Sequence, residues 1–94
     1  MEIDLLVTND DRAVLVEVKS NLRQADVDAH LDRLQRFKTI FPRYADAKVM
    51  GAVAGVEVPD EVALYAYRKG LFVLVQSGET MAIANDDRFV PAEW

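Results

Sequence analysis

The sequence lacks several residue types on which protein chemistry often depends. It contains no cysteine and only one histidine, His30. Without cysteine the chain cannot form a disulfide, a thiolate nucleophile or a zinc site of the cysteine type. A single histidine without a thiol gives little support for a hydrolase triad. The absence of cysteine also fits a reducing compartment, so we expect a cytoplasmic protein.

Long apolar runs and an excess of basic residues are missing too. No segment approaches about 18 uninterrupted apolar residues, and "MEIDLL" at the N-terminus lacks the features of a signal peptide, so we expect no membrane partner. The net charge of −5 argues against a non-specific nucleic-acid binder, which normally has more Lys and Arg. It does not exclude nucleic acid, because divalent cations can reverse the local sign of charge in a carboxylate-lined site.

What the sequence does contain is a regular series of strand and helix patterns. Two β-type runs flank the turn signal "NDDR", and apolar residues spaced three and four apart predict a long helix that ends before Pro42. Pro59 opens a second, shorter helix that Gly70 follows. The predicted strands are 2–8, 13–19, 48–58, 71–76 and 80–84, and the predicted helices are 24–41 and 59–69.

The order β-β-α-β-α-β-β predicts one α/β domain over residues 1–94, with a mixed sheet flanked by helices. This sheet would belong to a three-layer fold or an incomplete version of one. The strand 48–58 is apolar along most of its length, which is typical of a central strand covered on both faces.

Two charged residues interrupt the apolar strand "RAVLVEVKS", residues 12–20. If the preceding turn is centred between residues 10 and 11, Asp4 lies opposite Glu17, and Glu2 lies opposite Lys19. Two ionised carboxylates so close require a raised pKa, a bridging cation or the Lys19 ammonium. Magnesium suits such a place, because it binds one or two carboxylates and takes other ligands from water and phosphate.

The opposite face of this hairpin carries Val14, Val16 and Val18 and is wholly apolar, so we expect it to pack on a helix. For the charged residues a simpler interpretation stays open. Single charged side chains on a strand are usually solvated, and an exposed Glu2–Lys19 pair would contribute well under about 1 kcal/mol. The combination of Asp4 on one strand with Glu17 and Lys19 on the next favours a site.

The segment "EIDLLV…VLVEVKS" resembles the PD-(D/E)XK nuclease superfamily, which has the restriction-endonuclease-like fold. The signature of that family is Asp on one strand of a hairpin and Glu-x-Lys on the next, followed by a helix and a parallel strand. Asp4, Glu17 and Lys19 match it, and Val18 matches the position whose carbonyl often completes the metal shell. Small prokaryotic members with "VEVK", a helix ending in "FP" and a "GLFVL" strand are similar over nearly the whole chain.

The resemblance implies a nuclease that uses Mg²⁺ or Mn²⁺ to hydrolyse DNA phosphodiester bonds. Asp4 and Glu17 would hold the metal with the Val18 carbonyl, and Lys19 would assist the attacking water. Glu2 is an accessory candidate for a missing acid. Gln35 is another, because some members carry a glutamine on the equivalent helix, although an ordinary surface glutamine explains it as well.

The sequence departs from the family pattern at its beginning, because "EID" follows Met1 directly where members usually have a helix and another strand. The strand Glu2 to Thr8 would then be a bare sheet edge, and we expect a homodimer through it. A fragment, or a shortened relative without activity, are alternatives. The alternative function is a catalytically inactive nuclease-fold module for interaction or self-assembly. His30 falls on the apolar stripe of the long helix, so we expect it in the core.

Overall fold

A computed structural model describes residues 4–94 of the chain. The elements follow the predicted order. The strands are β1 (Leu5–Asn9), β2 (Arg12–Asn21), β3 (Lys48–Glu57), β4 (Phe72–Ser77) and β5 (Thr80–Ile83), and the helices are α1 (Gln24–Ile40) and α2 (Asp60–Arg68). A single 3₁₀ turn (Pro42–Tyr44) follows α1. The predicted α/β class and element order are therefore confirmed.

The five strands form one mixed sheet in the order β1-β2-β3-β4-β5. The central pairs β2–β3 and β3–β4 are parallel, because a helix crosses over between the strands of each pair, and the outer pairs are antiparallel hairpins. The predicted hairpin register is confirmed, with Leu6 opposite Leu15 and Thr8 opposite Ala13. Asp10 takes a positive φ of 52° in the tight turn, a conformation that Asp tolerates better than most residues.

Local signals explain where the helices begin and end. The N-terminus of α1 is held by a capping interaction in which the Arg23 N–H donates to Asp26 Oδ2 at 3.0 Å. Pro42 follows the last residues of α1 and cannot continue its hydrogen-bond ladder. α2 follows Pro59, and its acidic residues Asp60 and Glu61 lie in the first turn, where they complement the helix dipole.

Both helices pack on the same face of the sheet. The main core consists of odd-numbered strand residues and the inner faces of α1 and α2: Ala13, Leu15, Leu22, Val27, Leu34, Phe37, Val49, Val53, Val62, Ala66, Leu71 and Val73. A smaller cluster around Val16, Ala52 and Ala54 lies on the other face and contains no helix residue. The described chain therefore has two layers, a sheet and one helix layer.

This arrangement corrects two predictions. The hairpin face with Val14, Val16 and Val18 does not pack on a helix, and β3 is not covered by helices on both faces. The helices instead cover the face that carries Ala13 and Leu15. Hydrophobic patterning could not separate the two faces, because both faces of the central strands are apolar and each would gain from burial.

Close packing of α1 on β3 depends on Gly51. A Cβ atom at this position would lie 2.5 Å from Leu34 Cδ1 and 2.6 Å from Leu71 Cδ2, so only glycine lets the helix approach this closely. The C-terminal segment returns to the beginning of β3, where the Trp94 N–H donates to the Val49 carbonyl at 2.8 Å. It passes Gly70, whose φ of +83° and whose contact with Ala92 leave no room for a side chain.

Candidate active site

Glu17 is the only carboxylate among the described residues that the fold buries, with 4% of its surface exposed. Its position on β2 places it on the helix-covered face, two residues beyond Leu15. Arg33 on α1 donates from Nη1 to Glu17 Oε2 at 2.7 Å, and Lys19 Nζ lies 3.6 Å from Glu17 Oε1. A buried carboxylate is costly unless it is paired, and these two cations offset that cost for Glu17.

Asp4 lies just before β1, one residue beyond the ordered pairing of the hairpin. Continuing the register places Asp4 across from Glu17, as predicted. Its carboxylate, however, accepts a hydrogen bond from the backbone N–H of Val18 at 3.0 Å, through Oδ2. Asp4 and Glu17 thus have separate hydrogen-bond partners, the Val18 main chain and the Arg33 guanidinium.

Val18 follows Glu17 directly, and its main chain contacts Asp4. Its N–H points away from β3 and towards Asp4. In an extended strand the carbonyl of a residue points to the same side as its N–H, so the Val18 carbonyl also lies on the Asp4 side of β2. The Val18 side chain projects to the other face of the sheet and is about half exposed.

His30 lies in the core, as expected, and is 1% exposed. Its Nε2 is 2.9 Å from the Leu15 carbonyl, so Nε2 carries the proton and donates, while the buried Nδ1 has no partner among residues 4–94. Burial lowers the pKa of His30, although the Leu15 hydrogen bond and the charge of Glu17 act in the opposite direction. Neutral His30 therefore binds the main chain of Leu15, which directly precedes the "VEVK" motif of residues 16–19.

Arg33 is the site residue that sequence reasoning missed. It follows His30 by three positions, which places it on the same side of α1 at the margin of the apolar stripe. The available signal was indirect, because a glutamate on the covered face of a strand needs a cation from the element that covers it.

The remaining predicted site residues have different outcomes. Gln35 is exposed, and no hydrogen bond found within residues 4–94 joins it to Asp4, Glu17 or Lys19. Its accessory role stays a prediction. Glu2 lies outside the described residues.

An open cleft lies at the carboxyl ends of β2 and β3, and its lining begins two residues beyond Lys19. It is lined by Asn21, Leu22, Arg23, Glu57, Val58 and Pro59. A substrate bound in this cleft would lie near the end of β2 that carries Lys19.

The donor set fits a magnesium-type ion better than a metal that prefers nitrogen or sulfur ligands. Asp4, Glu17 and the Val18 carbonyl offer only oxygen atoms, and Mg²⁺ typically binds one or two carboxylates and keeps several waters. Within the described part of the chain, no group of three or more His, Cys, Asp or Glu residues is arranged to hold a metal by itself. Substrate and water would have to supply the other ligands. No helix within residues 4–94 is both long and apolar enough to cross a membrane.

Comparison with known proteins identifies the family to which this geometry corresponds. A family model described as the PD-(D/E)XK nuclease superfamily matches residues 1–66. The matched region contains Asp4, Glu17, Lys19 and Arg33 and extends into α2. No curated protein and no solved structure gave a significant match.

Proposed function

The chain belongs to the PD-(D/E)XK nuclease superfamily, and we propose that it is a nuclease that hydrolyses DNA phosphodiester bonds with Mg²⁺ or Mn²⁺. The observation that carries the proposal is the convergence of Asp4, Glu17 and Lys19 at one end of the β1–β2 hairpin, with the Lys19 side chain open to solvent. Nucleases of this superfamily generally use divalent metal ions. Magnesium as the metal ion and DNA as the substrate are part of our proposal.

Asp4, Glu17 and the Val18 carbonyl would hold the metal. When bound, the metal would neutralise negative charge on the phosphate as it is attacked. A net charge of −5 makes such local neutralisation necessary for a nucleic-acid partner.

Lys19 contributes a cation that can reach both the acidic pair and the solvent. Its side chain is 46% exposed, and its Nζ lies 3.6 Å from Glu17 Oε1. An ammonium in this position can orient an attacking water and stabilise negative charge on a phosphate oxygen in the transition state. Arg33 shares Glu17 with Lys19 and, once Glu17 has another partner, its guanidinium can bind a phosphate in a bidentate manner.

The test is metal-dependent cleavage of linear and branched DNA by the wild-type chain and by two site variants. Lys19→Ala should lower the cleavage rate at least about 100-fold, which is typical for the loss of an acid–base or electrostatic group. Asp4→Asn should do the same, although its amide oxygen can still accept the Val18 hydrogen bond and thus preserve the local fold.

Lys48→Ala is the matched control, since Lys48 is exposed at the opposite end of β3 from Gly55, the neighbour of Lys19. It should retain wild-type cleavage. A wild-type chain that cleaves neither DNA form in Mg²⁺ or Mn²⁺, or site variants as active as Lys48→Ala, would contradict the proposal.

The second candidate is a catalytically inactive nuclease-fold module. The observation that favours it is that both carboxylate oxygens of Glu17 are already paired, one with Arg33 and one with Lys19. Calorimetric titration with Mn²⁺ separates the two functions, because an inactive module of this kind has no reason to bind the metal at Asp4 and Glu17.

A homodimer and a cytoplasmic location are further parts of the proposal. β1 forms one edge of the sheet, and an edge strand can pair with the same strand of a second copy. The absence of cysteine supports a reducing compartment.

A further inference from the structure

The sheet face opposite the helices, which we call the open face, is apolar across all five strands. Side chains alternate between the two faces of a strand, so the register assigns to this face the residues paired with Val14, Val16 and Val18 and their neighbours. These are Leu5, Val7, Val14, Val16, Val18, Met50, Ala52, Ala54, Val56, Phe72, Leu74, Gln76, Met81 and Ile83. Gln76 is the only polar residue among these, and Asn9, Arg12 and Lys48 add polar groups at one end of the face.

Solvent reaches most of this face. Within residues 4–94, nine large apolar side chains are exposed, and six of them belong to the open face. Leu5, Val7, Val18, Val56, Met81 and Ile83 are each at least 45% exposed. A shallow groove crosses the centre of the face, and all of its lining residues are apolar: Val7, Val14, Val16, Ala52, Phe72, Leu74 and Ile83.

The exposed part of the open face is comparable to the largest apolar patch that a soluble monomer usually leaves uncovered. Six side chains that are half exposed or nearly so give a patch on the order of 500 Å², in the upper half of the usual range for such patches. Two such patches in contact would bury about 1,000 Å², which is the lower limit for a specific interface. Parallel strands, moreover, are almost always covered on both faces.

We infer that the open face is the interface of a homodimer in which two copies pack sheet against sheet. A second copy offers a surface of the same size and without charge at its centre, so no ionised group is buried on contact. Arg12 and Lys48 lie on this side of the sheet as a pair at one end. Copies that pack with their strands antiparallel keep these two cationic ends apart.

This dimer differs from one formed through the edge of β1, because it uses side chains and not backbone hydrogen bonds. It is also independent of the proposed nuclease function. Glu17 points to the helix-covered face, so a partner on the open face does not contact its carboxylate.

Sedimentation velocity of the wild-type chain and two double variants, at micromolar to submillimolar concentration, tests the inference. The wild type should show a species of twice the 10.6 kDa monomer mass that increases with concentration. Val7→Lys with Ile83→Lys places two charges in the groove of each copy and should raise the dimer dissociation constant at least about 100-fold. Both side chains are exposed in the monomer, so the variant should stay folded by circular dichroism.

Ile40→Lys with Leu64→Lys is the matched control. These side chains are similarly exposed, at 42% and 47%, but lie on the helices. The control should dimerise as the wild type does. A wild type that stays monomeric at every concentration, or a groove variant that dimerises like the control, would overturn the inference. A dimer insensitive to the groove charges would point to the β1 edge.

Discussion

At the scale of single residues, the site depends on how one buried carboxylate is neutralised. Glu17 has one cation from its own strand and one from α1. Lys19 could be assigned from the sequence, since residues two apart on a strand share a face. Arg33 could not, because no sequence rule specifies which turn of a helix covers a given strand residue.

Arg33 should compete with a divalent metal for Glu17. Arg33→Ala should therefore bind Mn²⁺ more tightly than the wild type, by about tenfold, because the metal no longer displaces a guanidinium. The metal-free variant should melt at a lower temperature, since a buried carboxylate loses its better partner. Isothermal titration calorimetry and thermal unfolding measure the two effects.

Arg36→Ala is the control for this pair of measurements. Arg36 lies on the same helix and pairs with Asp32 at 2.9 Å, but both side chains are exposed. Its removal should change unfolding by less than about 0.5 kcal/mol and leave Mn²⁺ affinity unchanged. Equal affinities for Arg33→Ala and Arg36→Ala would show that the Arg33–Glu17 pair does not regulate metal binding.

His30 should make stability dependent on pH. Because burial lowers its pKa below the ordinary 6.5, the unfolded chain binds a proton that the folded chain resists. This contribution is fully present above pH about 6.5 and is lost as the pH falls towards the folded pKa, with a slope of up to about 1.4 kcal/mol per pH unit.

His30→Gln retains an N–H donor for the Leu15 carbonyl but does not titrate. Urea unfolding between pH 5 and pH 7.5, monitored through Trp94 fluorescence, should show a flatter dependence for this variant than for the wild type. Parallel curves would exclude His30 as the source of the pH dependence.

At the scale of elements, the boundaries followed from local signals, whereas the side on which the helices pack did not. Proline, acidic first turns and apolar spacing defined α1 and α2 to within a residue or two. The two faces of β2 and β3 are both apolar, so hydrophobic patterning could not predict which face the helices cover. Gly51 is one local feature that distinguishes the two faces, because it lies under α1 and not on the open face.

Gly51→Val should destabilise the fold by about 1–3 kcal/mol, because added methyl groups overpack the contact between β3 and α1. Gly51→Ala should have a smaller effect of the same sign. Ala82→Val is the control, as Ala82 is an exposed position on β5, and should change stability by less than about 0.5 kcal/mol. Chemical denaturation measures all three, and a neutral Gly51→Val would show that α1 shifts at little cost.

At the scale of the whole molecule, our two proposals use different faces of one sheet. Glu17 lies on the helix-covered face, and the open face is a broad apolar surface that no helix within residues 4–94 covers. Variants that abolish dimerisation should therefore retain metal-dependent cleavage, and Lys19→Ala should retain dimerisation. Loss of one property in these variants, with the other retained, would therefore test the nuclease proposal and the dimer inference separately.

The sequence by itself determined the element order, the hairpin register and the family, because turn residues, apolar periodicity and the Asp and Glu-x-Lys pattern are local. It also determined that His30 is a core residue. Only the tertiary structure decided that both helices share one face, that Asp4 binds the Val18 main chain, and that Arg33 neutralises Glu17. These features depend on contacts between residues 14 and 16 positions apart, which no local pattern encodes.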